Sequence, residues 1–312
     1  MDKKGIFGGI IGEINARWLQ ALNGLLATVE DRGEVMDEKE LIYDWNVIDY
    51  GVTRDPSNHP HELWFDDETL RDGLQSPSAS NPSIEQKLEL IDYMEKLGVQ
   101  KVDLGLPGAG PFHVGHIDAM LSHMGEMSYS LRPGCAVRTV VSDIEPLVDL
   151  QAKHERQIKA SAFLGTSPIR QYTEGWTMDR IMSTAESAVT FAVDNDIPVM
   201  FVTEDTTRSK PDEIKEVYSR AIELGADRIC VCDTCGHVTP NGVRKLLRFI
   251  QDEVIPDSGV KRREIEVNWH GHQDRGLGVA NNLAAYEAGA DVIHGTALGA
   301  VSYTHLTLPT KA

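Results

Sequence analysis

The sequence predicts an α/β protein built as one (β/α)₈ barrel, and three observations predict it. From Glu62 onward, short apolar runs alternate with helix-periodic stretches through eight units of roughly 25 to 35 residues, the rhythm of strand, helix, strand. Glycine recurs just past the helical stretches, in Leu97-Gly98-Val99, Leu224-Gly225-Ala226-Asp227 and Ala288-Gly289-Ala290-Asp291, where a left-handed cap is needed. Charged residues gather at the ends of the apolar runs instead of scattering. An open doubly wound sheet shares the alternation, but gathered charge fits a barrel, in which every strand's C-terminal end opens onto one face.

Residues 1–60 stand apart as an N-terminal extension. Trp18, Leu19, Leu22, Leu25 and Leu26 have helical spacing within Ile14 to Val29, Asp31 to Glu40 is acidic, and Thr53 to Pro60 is rich in turn formers. The barrel is expected over 61–300. Leu63-Trp64-Phe65 reads as its first strand and Ile84 to Leu97 as an amphipathic helix; Lys101 to Leu104 and a helix near His116 to Met124 follow. Cys135 to Val141 is the third strand, with a short helix over Glu145 to Ala152. Ile158 to Leu164 precedes Met178 to Asp194, Val199 to Val202 precedes Asp212 to Leu224, and Arg228 to Cys232 precedes Asn241 to Asp252. Ile265 to Trp269 with Gly278 to Ala288 is the seventh unit, and Asp291 to His294 closes the series.

With 312 residues, 41% of them hydrophobic, the chain can bury the core such a barrel needs. A formal net charge of −18 argues against a polyanion-binding surface, so no nucleic-acid partner is expected. The one basic run, Lys261-Arg262-Arg263, reads as a solvated turn. Cys135, Cys230, Cys232 and Cys235 lack the second pair that a tetrahedral zinc site would require and read as buried reduced thiols. No apolar run reaches transmembrane length, and Glu13 interrupts the N-terminal apolar stretch early, so a cytoplasmic protein without a membrane partner is the expectation.

The chemistry centres on Asn268-Trp269-His270-Gly271-His272. Two imidazoles two residues apart on an extended strand point to the same side, an arrangement that chelates a divalent cation or simply makes a hydrogen-bonded pair. Asp72, at the end of the first unit, would add a carboxylate to make an O/N/N set, or else pair with its neighbour Arg71. Such a set suits Mg²⁺, Mn²⁺, Co²⁺ or Zn²⁺, and the residues alone do not choose among them. Arg71 is a permanently charged guanidinium able to stabilise an enolate or alkoxide beside the cation. Glu204 is placed at a strand end as a candidate base or orienter, Arg208 reads as the structural partner of a carboxylate, and Thr234 offers a hydroxyl to a substrate carboxylate or carbonyl, or else caps a turn.

These residues also carry a resemblance. Asp67-Glu68-Thr69-Leu70-Arg71-Asp72-Gly73-Leu74-Gln75 and His270-Gly271-His272-Gln273-Asp274-Arg275-Gly276 with Ala280-Asn281 resemble the two signatures of the DRE-TIM metallolyase superfamily. Gly105-Leu106-Pro107, Ser167-Pro168-Ile169, Glu204 to Ser209 and Asp233 to Gly236 stand between them in family order. The match covers about Glu62 to Gly299 and is nearest to the 2-isopropylmalate synthases, with homocitrate and citramalate synthases and hydroxymethylglutaryl-CoA lyase as relatives. The resemblance implies a Claisen-type condensation of acetyl-CoA with a 2-oxo acid, 2-oxoisovalerate first, in an acyltransferase of leucine biosynthesis. It implies Asp72, His270 and His272 as metal ligands, Arg71, Thr234 and Gln75 on the substrate, Arg71 and Glu204 as catalytic groups, and a homodimer in the full-length form.

Departures from the family pattern are Gln273 for the usual Asn, Asp103 for Glu, Cys235 for Val and Arg170 for His. After Gly299 the synthases continue with G-x-G-E-R-x-G-N, whereas Ala300 to Ala312 matches nothing in the family. Residues 301–312 are therefore expected to be a non-native tail, on a barrel lacking its last helix and leaving apolar strand surface uncovered. A lyase running the reverse carbon–carbon chemistry, or a catalytically silent barrel, are the alternative readings.

Overall fold

All eight apolar runs form strands in the computed structural model, which describes residues 41–43, 62–76 and 79–299. The strands are β1 (Trp64–Asp67), β2 (Lys101–Asp103), β3 (Arg132–Arg138), β4 (Lys159–Gly165), β5 (Val199–Glu204), β6 (Arg228–Asp233), β7 (Glu266–Gly271) and β8 (Val292–Gly295). Every neighbouring pair is parallel, and β1 pairs with β8 from Trp64↔Val292 to Asp67↔Gly295, which closes the barrel. The helices are α1 (Ile84–Leu97), α2 (Pro111–Glu126), α3 (Val141–His154), α4 (Pro168–Glu174), α5 (Met178–Asp194), α6 (Pro211–Glu223), α7 (Pro240–Phe249) and α8 (Gly278–Glu287). The extension expected over residues 1–60 and the tail expected over 301–312 lie outside the described residues, apart from 41–43.

Local chemistry sets the helix ends. Ser83 accepts from the Gln86 amide while the Gln86 side chain accepts from the Ser83 amide, a reciprocal cap that starts α1. Thr177 and Thr239 cap α5 and α7, and Pro111, Pro168, Pro211 and Pro240 occupy first turns, where a missing N–H costs nothing. The expected glycine joints carry the left-handed backbone at Gly98, Gly225 and Gly289.

Four expectations need correction. Helix α3 is longer than Glu145 to Ala152, running from Val141 to His154 through Pro146, which forgoes one bond of the hydrogen-bond ladder. Helix α4 is an added seven-residue element after β4, ended by left-handed Gly175. Lys261-Arg262-Arg263 is not wholly a solvated turn: the Arg262 guanidinium donates to Asp291 Oδ2 at 2.8 Å and to the carbonyls of Ile265 and Gly289, tying the start of β7 to the start of β8. Cys235 is exposed, against the expectation of burial, while the other three thiols are buried and all four are free.

Strand residues alternate between two environments. One set, including Val102, Val137, Phe201, Val231, Val267 and Trp269, faces the helices and joins the large apolar core between the layers. The other set fills the barrel, and its lower part is ionic instead of branched and apolar. Buried Lys159 on β4 pairs with buried Asp66 on β1, Lys101 pairs with Glu266 across β2 and β7, and Asn268 donates to Glu266 at 3.0 Å. Gly134 on β3 makes room for this filling, since a Cβ there would meet Lys159 Cε at 2.6 Å. Phe65 on the outer face of β1 and Val279 and Leu283 on α8 are exposed apolar side chains.

Candidate active site

The C-terminal ends of the strands surround a cavity of about 220 Å³, and all seven site residues expected from the sequence line it: Arg71, Asp72, Gln75, Glu204, Thr234, His270 and His272. Asp72 is set by the turn after β1, in which the Gly73 amide donates back to Glu68, while His270 and His272 come from the end of β7. Gly271 lies against the indole of Trp269, where a Cβ would meet Nε1 at 2.7 Å.

The three candidate ligands converge. His272 Nε2 lies 3.4 Å from Asp72 Oδ2, His270 Nε2 lies 3.8 Å from the same oxygen, and the two Nε2 atoms are 3.1 Å apart. Asp72 Oδ2 is buried and accepts no hydrogen bond. Its carboxyl is held down to about 2, against the effect of burial, by the His272 contact and by Arg71, and burial pushes His270 down to about 3, so both offer free lone pairs at neutral pH. A mixed O/N/N set with an orphaned carboxylate oxygen at its centre fits a divalent cation.

Arg71 stands beside this set. It donates to Glu68 at 2.8 and 2.5 Å and to Asp72 Oδ1 at 3.2 Å, which aims the guanidinium along the cavity wall and leaves Asp72 Oδ2 to the histidines. Two carboxyl groups at the cavity are shifted upward. Burial, with Glu68 nearby, carries Asp103 up to about 8, and burial raises Glu204 above the ordinary carboxylate range. The Thr234 hydroxyl accepts from the Asp205 amide at 2.8 Å, and Asp205 in turn holds Arg208 through two 2.7 Å bonds, the structural pairing expected for Arg208.

Sequence reasoning missed two residues of the site. Glu68 lies at a variable position of its motif, and His294 was read only as the end of the last strand. Closure of β1 on β8 brings His294 Nδ1 to 2.8 Å from Glu68 Oε1 and 3.3 Å from His270 Nδ1. The available signal was a third histidine ending a predicted strand. The apolar lining was also unforeseen: Met200, Val202, Cys230, Cys232 and Phe163 form a small apolar cluster of their own inside the barrel, separate from the main core.

Residues 63–301 match the HMGL-like family model. The chain is 33% identical over 236 residues to the 2-isopropylmalate synthase of Streptococcus gallolyticus (strain UCN34), covering 75% of this chain and 43% of that protein. It is 33% identical over 242 residues to homocitrate synthase AksA of Methanopyrus kandleri, covering 77% of this chain and 56% of that protein. The chain thus spans about half the length of the curated relatives it matches. In fold it is similar to the crystal structure of the HMG-CoA lyase from Brucella melitensis, with a TM-score of 0.59 over 76% of this chain and 81% of that one, at 15% identity.

Proposed function

The chain belongs to the HMGL-like family, and on that premise we propose that it is the barrel of a metal-dependent condensing enzyme joining acetyl-CoA to a 2-oxo acid, with 2-oxoisovalerate giving 2-isopropylmalate in leucine biosynthesis. One observation carries the reading: a cavity lined both by Asp72, His270, His272 and Arg71 and by the apolar cluster of Met200, Val202, Cys232 and Phe163. The polar side suits a 2-oxo acid's carboxylate and keto oxygen. The apolar side suits a branched hydrocarbon tail and would leave a distal carboxylate unpaired.

A divalent cation held by Asp72, His270 and His272, Mg²⁺ or Mn²⁺ ahead of Zn²⁺ or Co²⁺, would polarise the keto group as a Lewis acid. Arg71 supplies a fixed positive charge, kept protonated by Glu68 and Asp72, for the negative charge that develops on oxygen. Thr234 and Gln75 line the cavity as hydrogen-bonding groups for the substrate's polar end. Glu204, with its raised proton affinity, serves as a supporting polar group that can take or return a proton. Removal of a proton from the acetyl methyl gives an enolate whose carbon bonds to the keto carbon, and water then cleaves the thioester to release the free thiol of CoA.

Thiol release from acetyl-CoA in the presence of 2-oxoisovalerate and Mn²⁺ is the expected activity. Acetoacetate release from hydroxymethylglutaryl-CoA without any thiol release in the first assay would replace the condensing reading with the lyase. The apolar wall makes a sharper prediction. Met200→Gln should lower kcat/KM for 2-oxoisovalerate by about 10- to 100-fold while changing that for pyruvate much less, because only the larger tail reaches the wall. Equal losses on both substrates would show that Met200 does not face the tail.

A further inference from the structure

His270 meets electron-rich partners on both ring nitrogens. Its Nε2 faces Asp72 and His272, while its Nδ1 faces a second set on β1 and β8: His294 Nδ1 at 3.3 Å and Glu68 Oε1 at 3.8 Å, these two being 2.8 Å apart. Glu68 and His294 are 2% and 4% exposed. The tautomer of His294 is set from behind. Asn268 presents Oδ1 to its Nε2 at 3.2 Å, and the Asn268 amide is oriented by its own donation to Glu266 at 3.0 Å. His294 Nε2 therefore carries a proton, and Nδ1 points at a carboxylate oxygen and a second ring nitrogen.

Three acceptor atoms this close repel one another unless a positive centre lies among them. A proton on His294 Nδ1 meets that need by donating to Glu68 at 2.8 Å, with His270 Nδ1 a longer acceptor at 3.3 Å, whereas a metal ion would draw on all three. The separations of 2.8, 3.3 and 3.8 Å bracket the edge, about 3.3 to 3.6 Å, of a tetrahedron around an ion with bonds of about 2.0 to 2.2 Å.

We propose that Glu68, His270 Nδ1 and His294 Nδ1 form an inner seat for a borderline transition-metal ion, Zn²⁺ or Co²⁺, alongside the outer seat of Asp72, His270 Nε2 and His272. Two imidazoles and one carboxylate are donors that such ions accept. A neutral imidazole offers a lone pair on one nitrogen only, so His270 serves one seat at a time. The inner seat is thus a competitor. An ion entering it displaces the Nδ1 proton of His294 and takes from Asp72 and His272 their third donor.

Co²⁺ alone is the probe, followed by equilibrium dialysis and by its visible absorption, so the result does not depend on the condensing reading. His272→Gln removes the outer seat. The variant should still bind one Co²⁺ per chain, within about tenfold of the unaltered affinity, and adding His294→Asn should weaken that binding at least a hundredfold. Loss of Co²⁺ from His272→Gln with a native circular dichroism spectrum, or its retention in the double variant, would overturn the inner seat. If His272→Gln does not fold, the unaltered protein decides: an anomalous difference peak in Co²⁺-soaked crystals should lie within bonding distance of His294, and a peak touching only Asp72, His270 and His272 overturns the proposal.

Discussion

Replacing Asp72 by alanine, or His270 by alanine, is expected to weaken Mn²⁺ binding by about a thousandfold, about 4 kcal/mol of binding free energy, and to abolish thiol release with it. Asp72 contributes a buried donor and His270 a half-buried one to the same point, 3.8 Å from each other, so neither loss is readily made good by water. The fold should survive Asp72→Ala, because Arg71 keeps its two bonds to Glu68. Calorimetric titration of Mn²⁺, with circular dichroism as the control for folding, checks both variants. Unchanged Mn²⁺ affinity in both would remove the outer seat and the condensing mechanism built on it.

The second large effect lies lower in the barrel. Lys159→Met leaves the Asp66 carboxylate buried without its ammonium partner, and removing one member of a buried pair costs about 3–5 kcal/mol. His294 Nε2, at 3.9 Å, is too far from Asp66 to replace the lost hydrogen bond. Urea denaturation should show the midpoint falling accordingly, and the double variant Lys159→Met/Asp66→Leu should recover a large part of the loss, since an apolar pair of similar volume has no charge to strand. A double variant no more stable than the single one would mean that the layer depends on its shape instead of its charge balance.

The order and type of the barrel elements were legible because each strand is an apolar run bounded by turn residues, and each long helix carries its own periodicity and cap. Helix α4 was not, because seven residues starting at Pro168 and stopped by Gly175 are too few to show a period. The ligand trio could be read because His270 and His272 are neighbours on one strand and Asp72 belongs to a recognisable phrase. Glu68 and His294 could not be joined by reading along the chain: 226 positions separate them, and only the register of β1 on β8 makes them adjacent. Nor could the apolar wall be seen, since Met200, Val202, Cys230 and Cys232 are interleaved with residues that face the helices, and alternation alone does not say which set looks inward.

The ionic filling of the barrel has a consequence for how the protein should respond to dissolved electrolyte. Ion pairs on the outside, such as Lys153 with Asp118 and Arg248 with Asp252, lie within reach of mobile counterions and weaken as the screening length contracts toward about 3 Å at molar salt. Lys159 and Asp66, walled off by eight strands, are beyond that reach. Strong brine should therefore loosen the rim of the molecule while its axis holds, so that amide exchange quickens at the ends of α3 and α7 and stays slow along β1 and β4.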